Sequence, residues 1–271
     1  KDDFLETNKK YFGANVVNIP FNEQTVKNIN NWAAEHTDKM IPFIIDSLDP
    51  EDRLVLLNAI CFKGEWSEPY SDSQVSEDTF TAEDGKKTSA KMLNDRKIGY
   101  TYLELAGGKG FVRYYKGGET AFFAFLPPEG ESVDTYLGKI SGAAFCSAYE
   151  KRKQVILVSK LPMFTFDYTG YLENPLWEMG MKQAFTDNAD FSGMSDSPVR
   201  IDSVIHKTHI ELDQKGTKAA AATALVCNNT SAPTYPKLKT VEIILNRPFV
   251  YGIMDTETAT PLFLGVADRI K

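Results

Sequence analysis

Tight-turn sequences between short apolar runs constrain the fold of this chain more than any other feature. Asp84-Gly85 separates the segment DTFTAE from KKTSAKML, and Lys116-Gly117-Gly118 separates FVRYY from ETAFFAFL. Glycine beside an aspartate or a second glycine favours the tight turns that join antiparallel strands. The sequence therefore predicts two β-hairpins, and with them an antiparallel sheet.

Helical patterns lie between these strand patterns. Asn22 is predicted to cap a helix, because apolar residues recur after it at helical spacing: Val26, Ile29, Trp32 or Ala33, and Met40. Residues 132–152 have helical character, and residues 174–181 predict a short helix that opens with Pro175.

Other segments are predicted to be extended. Residues 54–62, LVLLNAICF, predict a central strand covered on both faces, in which Asn58 needs a partner. Residues 154–168 and 199–212 predict further strands, and the tail supplies two extended runs, VEIILNRPFVYGIM and PLFLGVA, around the turn DTETAT. Helices and antiparallel hairpins without strict alternation predict an α+β fold rather than a doubly wound parallel sheet.

Composition narrows the possible partners. The chain has 30 basic and 37 acidic residues, a formal charge of −7, and no Lys/Arg-rich run that would grip phosphates. We therefore expect no nucleic-acid partner. No apolar stretch approaches the length needed to span a bilayer, so we expect no membrane partner either.

The common catalytic and cofactor motifs are missing from the sequence, which contains no GxSxG, HExxH, GxGxxG or GxxxxGK[ST] pattern. His206 and His209 lie three residues apart in a predicted strand, which directs them to opposite faces. We therefore predict no cofactor, no metal site and no enzymatic activity, and we interpret His206 as a hydrogen-bonded core residue.

The segment over residues 211–239, ELDQKGTKAAAATALVCNNTSAPTYPKLK, is the most informative. The run KAAAATAL has high helix propensity, so a short exposed helix is one interpretation. Gly216 follows a predicted strand and can act as a flexible joint, and the later stretch carries Pro233 and Pro236, as exposed loops do. We favour a hinge, then a stretch of small residues, then an exposed tip.

The stretch QKGTKAAAAT, from Gln214 to Thr223, resembles the hinge of inhibitory serpins. Gln214 departs from the acidic residue that the family commonly has there. Other segments resemble the family along nearly the whole chain: Asn58-Ala59, Phe62 to Trp66, Phe125-Leu126-Pro127, Leu161 to Phe164, Ala189 to Gly193, His206-Lys207, Asn246 to Phe249 and Pro261 to Gly265. Serpins begin with several elements before the helix placed at Asn22, so we expect a further N-terminal portion.

The resemblance implies the serpin fold in one domain over residues 1–271, with large mixed or antiparallel sheets, packed helices and an exposed reactive loop. It also implies a serine protease inhibitor, with cysteine proteases as further targets, that acts as a suicide substrate. An exposed reactive loop is cut and then inserted into the main sheet, which traps the acyl-enzyme. The implied hinge comprises Gln214, Gly216, Thr217, Ala219, Ala220, Ala221 and Ala222. In an inserted strand of period two, one face would carry only small or apolar uncharged residues: Thr217, Ala219, Ala221, Thr223, Leu225 and Cys227.

The family's usual spacing from the hinge places the scissile bond at Thr230-Ser231. A small β-branched residue suits elastase-like or subtilisin-like proteases. The loop is longer than in common members, and Lys237 and Lys239 are alternative sites for trypsin-like proteases. The resemblance also assigns control of sheet opening to Asn58, Trp66 and His206, although core packing is a sufficient account of Trp66.

The resemblance further implies a monomer that can form loop–sheet polymers. An extracellular, cell-surface or periplasmic location is favoured, with an intracellular one left open. The main alternative is a non-inhibitory serpin that acts as a carrier, chaperone or storage protein, and the Ala219–Ala222 run argues against it. A hydrolase with a dispersed Ser/His/Asp site is the second alternative, with no motif in its favour.

Overall fold

The computed structural model describes residues 1–217 and 238–270. These residues divide into two compact units. The first comprises Lys1–Phe62 and Phe166–Ile210, and the second comprises Lys63–Thr165 and Glu211–Lys271. This division of contacts does not test the single domain predicted over residues 1–271, which stays a prediction.

Helices and strands alternate irregularly along the chain, in agreement with the predicted α+β class. The helices are α1 (Asp2–Phe12), α2 (Glu23–His36), α3 (Val133–Leu137), α4 (Gly142–Glu150) and α5 (Glu173–Glu178). The strands are β1 (Val55–Cys61), β2 (Gly64–Glu65), β3 (Val75–Thr81), β4 (Lys87–Leu105), β5 (Gly108–Tyr114), β6 (Thr120–Leu126), β7 (Lys153–Pro162), β8 (Phe164–Tyr171), β9 (Ser203–Leu212), β10 (Gly216–Thr217), β11 (Thr240–Ile244), β12 (Phe249–Asp255) and β13 (Pro261–Ala267).

In the first unit, helix α2 covers a small sheet. The side chain of Asn22 accepts a hydrogen bond from the Thr25 amide at 3.0 Å, so the predicted cap is confirmed. Ala33 of α2 packs in a buried cluster with Ile41 and Ile205. The expected extent of the helix was wrong at its end, because α2 stops at His36 and Met40 lies beyond it.

Strand β1 pairs in parallel with β9, and β8 also pairs with β9. The expectation that residues 54–62 are covered on both faces was wrong for the described chain. Leu57 and Ala59 pack against the cluster beneath α2, whereas Leu56 and Asn58 are exposed. Alternate residues of a strand point to opposite faces, so along this part of β1 the face of Leu57 and Ala59 is packed and the face of Leu56 and Asn58 is open.

In the second unit, eight strands form a large sheet in the order β11-β7-β4-β5-β6-β12-β13, with β3 also paired to β4. Both predicted hairpins are confirmed, since β3 pairs with β4 and β5 pairs with β6 in antiparallel fashion. Gly85 in the first turn has φ of +80° and Gly117 in the second has φ of +92°. These backbone angles favour glycine, which explains why the turn sequences were informative.

Several predicted elements are divided in the structure. The helical stretch 132–152 forms two helices, capped by the side chains of Ser132 and Ser141. The predicted strand 154–168 is divided at Met163, and strand β9 begins only at Ser203. The first tail run forms two strands, because Pro248 lacks an amide hydrogen for the ladder, and the short helix α5 begins at Glu173, before Pro175.

Candidate strand-insertion site

A tight turn over Asp213–Gly216 begins the candidate site in the second unit. The Asp213 amide donates to the Gly216 carbonyl at 2.9 Å. The Asp213 carboxylate accepts hydrogen bonds from the amides of Lys215 at 2.7 Å and Gly216 at 3.1 Å. An aspartate that bonds to the backbone two and three residues ahead holds such a turn closed. The chain therefore reverses direction immediately after strand β9.

Gly216 lies where two backbones meet closely. Strand β10 pairs in antiparallel fashion with β2, with Gly216 opposite Glu65 and Thr217 opposite Gly64. A Cβ atom on Gly216 would lie 2.0 Å from the Gly64 carbonyl oxygen, and its φ is +156°. Only glycine fits such an approach. Gly216 was predicted to be a flexible joint, whereas here it is buried and paired.

Thr217 is the first residue of the predicted hinge whose side chain points into the protein. It is fully buried, and it pairs both with Gly64 on β2 and with Leu212 at the end of β9. Its hydroxyl lies 2.6 Å from the hydroxyl of Tyr115. Burial raises the pKa of Tyr115 well above its ordinary value, so the phenol stays neutral and can share the hydrogen bond. The strand β10 thus lies between β2 and the last residues of β9.

Trp66 joins this turn to the large sheet of the second unit. Its indole nitrogen donates to the Asp213 carbonyl at 3.0 Å, and its amide donates to the Lys215 carbonyl at 2.8 Å. The indole stacks on the Tyr115 ring, with ring centroids 4.6 Å apart and planes 8° from parallel. Trp66 is 1% exposed. Trp66 therefore contacts both the turn that precedes Thr217 and the ring of Tyr115, the hydrogen-bond partner of Thr217.

A buried cation supports the aromatic rings. The Arg113 guanidinium lies 3.8 Å from the centroid of the Tyr70 ring and 5.2 Å from that of Trp66. It donates to the Asp95 carboxylate at 3.0 Å and to the Tyr100 hydroxyl at 3.1 Å. Burial raises the pKa of Tyr100 to about 12, so this hydroxyl remains protonated. The carboxylate of Asp95 compensates the charge that Arg113 carries into the interior.

Gln214 contributes through both its side chain and its backbone. Its side-chain amide donates to the Asp72 carboxylate at 3.0 Å, and its carbonyl accepts from the Tyr70 amide at 2.9 Å. An acidic residue at position 214 would place a second carboxylate against Asp72. The glutamine is therefore suited to this turn, although the resembled family commonly has an acid there.

Asn58 and His206 meet in the first unit. They are register partners on β1 and β9, and Nδ1 of His206 lies 2.8 Å from Oδ1 of Asn58. Asn58 is exposed and His206 is half-buried. The partner that Asn58 was predicted to need is thus identified. His206 and His209 contact different residues, as expected from their spacing in a strand.

The structure brings together part of the predicted site. Gln214, Gly216 and Thr217 meet Trp66 in one cluster. The predictions for Ala219 to Ala222, for the Thr230-Ser231 bond and for Lys237 lie outside the described residues. Lys239 is exposed and immediately precedes β11, and its carbonyl accepts a hydrogen bond from the Ile156 amide at 3.0 Å.

Four residues of the candidate site were not predicted from the sequence: Asp213, Asp72, Tyr115 and Arg113. The sequence does contain a signal for Asp213, because aspartate followed three residues later by glycine is typical of a tight turn. The other three are distant in sequence from the hinge. Only the folded sheet places them beneath it.

Within residues 1–217 and 238–270, no helix is both long enough and apolar enough to cross a bilayer. The same part of the chain holds no group of three or more His, Cys, Asp or Glu side chains placed to bind a metal ion.

Comparisons with known proteins agree with this architecture. The family model "Serpin (serine protease inhibitor)" matches residues 1–268. An uncharacterized serpin-like protein of Thermococcus kodakarensis is 30% identical over 98% of this chain and 62% of its own length. Leukocyte elastase inhibitor A of Rattus norvegicus is 31% identical over 97% of this chain and 72% of its own. The chain thus spans less than two thirds of the first relative and somewhat more of the second.

Solved structures show the same fold. The native state of tengpin, a thermophilic serpin, superposes with a TM-score of 0.87 at 35% identity, over 97% of this chain and 68% of its own. Thyroxine-binding globulin in complex with thyroxine has a TM-score of 0.85 at 23% identity, over 100% of this chain and 72% of its own, a similarity of fold alone. The fold and the matched residues define the class, and this chain belongs to the serpin family.

Proposed function

We propose that this chain inhibits serine-type endopeptidases, and some cysteine proteases, as a suicide substrate whose loop becomes a strand. One observation carries the proposal. Strand β10 already lies between β2 and the end of β9, with Thr217 buried as its inward residue. This strand supplies the first rung of a ladder that the following residues can extend.

The sequence after Thr217 is compatible with such an extension. Residues 218–231 contain no proline, so every amide can join a ladder. With Thr217 pointing inward, the period of two assigns Ala219 and Ala221 to the same face and Lys218 to the opposite one. Around ten new backbone hydrogen bonds at about 1 kcal/mol each would then favour the inserted form after cleavage.

The chemistry of cleavage belongs to the protease. Its nucleophile attacks the Thr230 carbonyl carbon, the bond to Ser231 breaks, and the Ser231 nitrogen takes up a proton as the new amino terminus of residues 231–271, whose strands β11, β12 and β13 belong to the large sheet. Insertion must precede hydrolysis of the ester that joins Thr230 to the enzyme. Among the alternatives, Lys239 is less suited than Thr230, because its carbonyl is already hydrogen-bonded to Ile156.

A protease panel tests the proposal directly. The protein is mixed with elastase-like, subtilisin-like and trypsin-like enzymes, and SDS-resistant complexes are sought on gels. Mass spectrometry of the released C-terminal peptide identifies the bond, with residues 231–271 expected for an elastase-like or subtilisin-like enzyme. Cleavage in the loop without any stable complex, across the whole panel, would contradict the inhibitory mechanism.

A carrier function is the competing proposal for a member of this family. The similarity to thyroxine-binding globulin is at 23% identity and concerns the fold alone. Uncharged residues at the inward positions Ala219 and Ala221 are required of a loop that must become buried, because an unpaired charge there would be costly to bury. We therefore favour inhibition.

A further inference from the structure

Three chemically reactive side chains lie in a row across neighbouring strands of the first unit. They are Cys61 on β1, His209 on β9 and Asp167 on β8. Cys61 and His209 are register partners in the parallel β1–β9 pair. Nδ1 of His209 lies 2.8 Å from the Asp167 carboxylate. This row has the order thiol, imidazole and carboxylate.

The strand period places the thiol and the imidazole on one face. Leu57 and Ile205 are register partners that both pack in the cluster beneath α2. Cys61 and His209 each lie four residues further along their strands, so they point to that same face. In agreement, the Cys61 sulfur lies 4.0 Å from the Thr37 carbonyl at the end of α2.

His209 has one ring nitrogen in use and one available. The residue is 9% exposed, and within the described chain its Nε2 is buried without a hydrogen bond. Strand β1 occupies one edge of β9, so β8, which carries Asp167, pairs along the other edge. Nε2 is the ring nitrogen that does not bind Asp167, and Cys61 is the register partner of His209 across the opposite edge of β9. A buried polar atom without a partner is unfavourable, and a rotation of the neighbouring thiol would satisfy it.

We propose that Cys61 is a modification site for small soft electrophiles, with His209 as its base and Asp167 as the residue that orients the imidazole. The thiol proton passes to Nε2 of His209, and the sulfur then attacks the electrophilic carbon. With iodoacetamide, a sulfur–carbon bond forms, the carbon–iodine bond breaks and iodide leaves. Cys61 is half-buried, so a small reagent can reach it, and the thiolate is the reactive form of cysteine.

The test measures the rate of iodoacetamide labelling at pH 7 by peptide mass spectrometry. Cys146, a half-buried cysteine of the second unit, serves as the internal reference. We expect Cys61 to be labelled about tenfold faster than Cys146, since an imidazole that accepts the thiol proton raises the fraction of thiolate. His209→Gln should lower the labelling rate of Cys61 by about tenfold and leave the labelling rate of Cys146 unchanged.

Two further variants distinguish a role of His209 as a base from a role in packing alone. Asp167→Asn should lower the labelling rate of Cys61 by a smaller factor, about threefold, because an amide orients the imidazole without stabilising its charge. His206→Gln removes a histidine from the same strand but from the opposite face, and it should leave the rate at Cys61 unchanged. Loosened packing would expose Cys61 and raise its rate, whereas loss of the base lowers it. An unchanged or raised rate in His209→Gln would overturn the proposal.

Discussion

Two hydrogen-bonded pairs that include predicted site residues differ in their exposure to solvent. The Thr217–Tyr115 pair in the second unit is buried, since Thr217 is 0% exposed and Tyr115 is 1% exposed. The Asn58–His206 pair in the first unit has similar length, but Asn58 is open to solvent. Water can replace a lost partner at the exposed pair and cannot at the buried one. Equal bond lengths therefore do not imply equal contributions to stability.

Among the variants considered, a charge on the inward face of the loop should have the largest effect, and that effect is on protease inhibition. In the inserted strand, Ala219→Glu would bury an unpaired carboxylate, whereas Ala220→Glu would place it on the outward face. We expect Ala219→Glu to lose the SDS-resistant complex and to become a substrate, and Ala220→Glu to retain the complex. The measurement is the fraction of protease trapped per inhibitor cleaved.

Retention of the complex by Ala219→Glu would refute strand insertion in the proposed register. Thr217→Arg is predicted to convert the inhibitor in the same way. However, Thr217 is already buried in the uncut form, so this variant also disturbs the hinge before cleavage. Ala219 is thus the cleaner site for the test.

The second largest effect is expected from a side chain at Gly216, where β10 and β2 approach closely, and it is a loss of stability. Gly216→Ala introduces a Cβ atom 2.0 Å from the Gly64 carbonyl, which forces β10 away from β2. We expect a loss of about 3 kcal/mol in unfolding free energy, within the range of changes at strained backbone positions. Urea denaturation measures it. Gly142→Ala is the control, because a Cβ there meets no atom within 4 Å and alanine favours the helix; equal losses in both variants would contradict the assigned role of Gly216.

The buried pair can be examined by a double-mutant cycle. Thr217→Val removes the buried hydrogen bond between the two hydroxyls and should cost about 2 kcal/mol, and Tyr115→Phe removes the same bond and should cost a similar amount. The double variant removes both polar groups, so its cost should be smaller than the sum of the two single costs. Thermal and urea denaturation supply the values. Strict additivity would show that the two hydroxyls do not interact.

The exposed pair should give the smallest effect. Asn58→Ala removes the partner of His206 at a site that water can reach, and we expect a loss of about 0.5 kcal/mol in unfolding free energy. The same denaturation experiment measures it. A loss equal to that of Thr217→Val would remove the contrast between the buried and the exposed pair.

Local sequence signals predicted which turns and caps form better than they predicted where each helix or strand ends and what covers it. The glycine turns at Gly85 and Gly117 and the cap at Asn22 were confirmed, because each depends on backbone angles or hydrogen bonds of its immediate neighbours. The covered central strand was wrong: whether Leu56 is covered depends on what packs over that face. Propensity alone cannot report on such distant contacts.

The sequence by itself determined the family, because the matching segments extend along nearly the whole chain, and it predicted a hinge from the order of glycine, threonine and small uncharged residues after Gln214. It also determined that Thr217 would point inward. Only the tertiary structure decided that Gly216 is buried and paired with β2, and that Tyr115, Trp66 and Arg113 gather in the same cluster. These contacts join residues about one hundred positions apart, as the 102 positions between Tyr115 and Thr217 show. Their strength comes from burial, which is a property of the folded sheet.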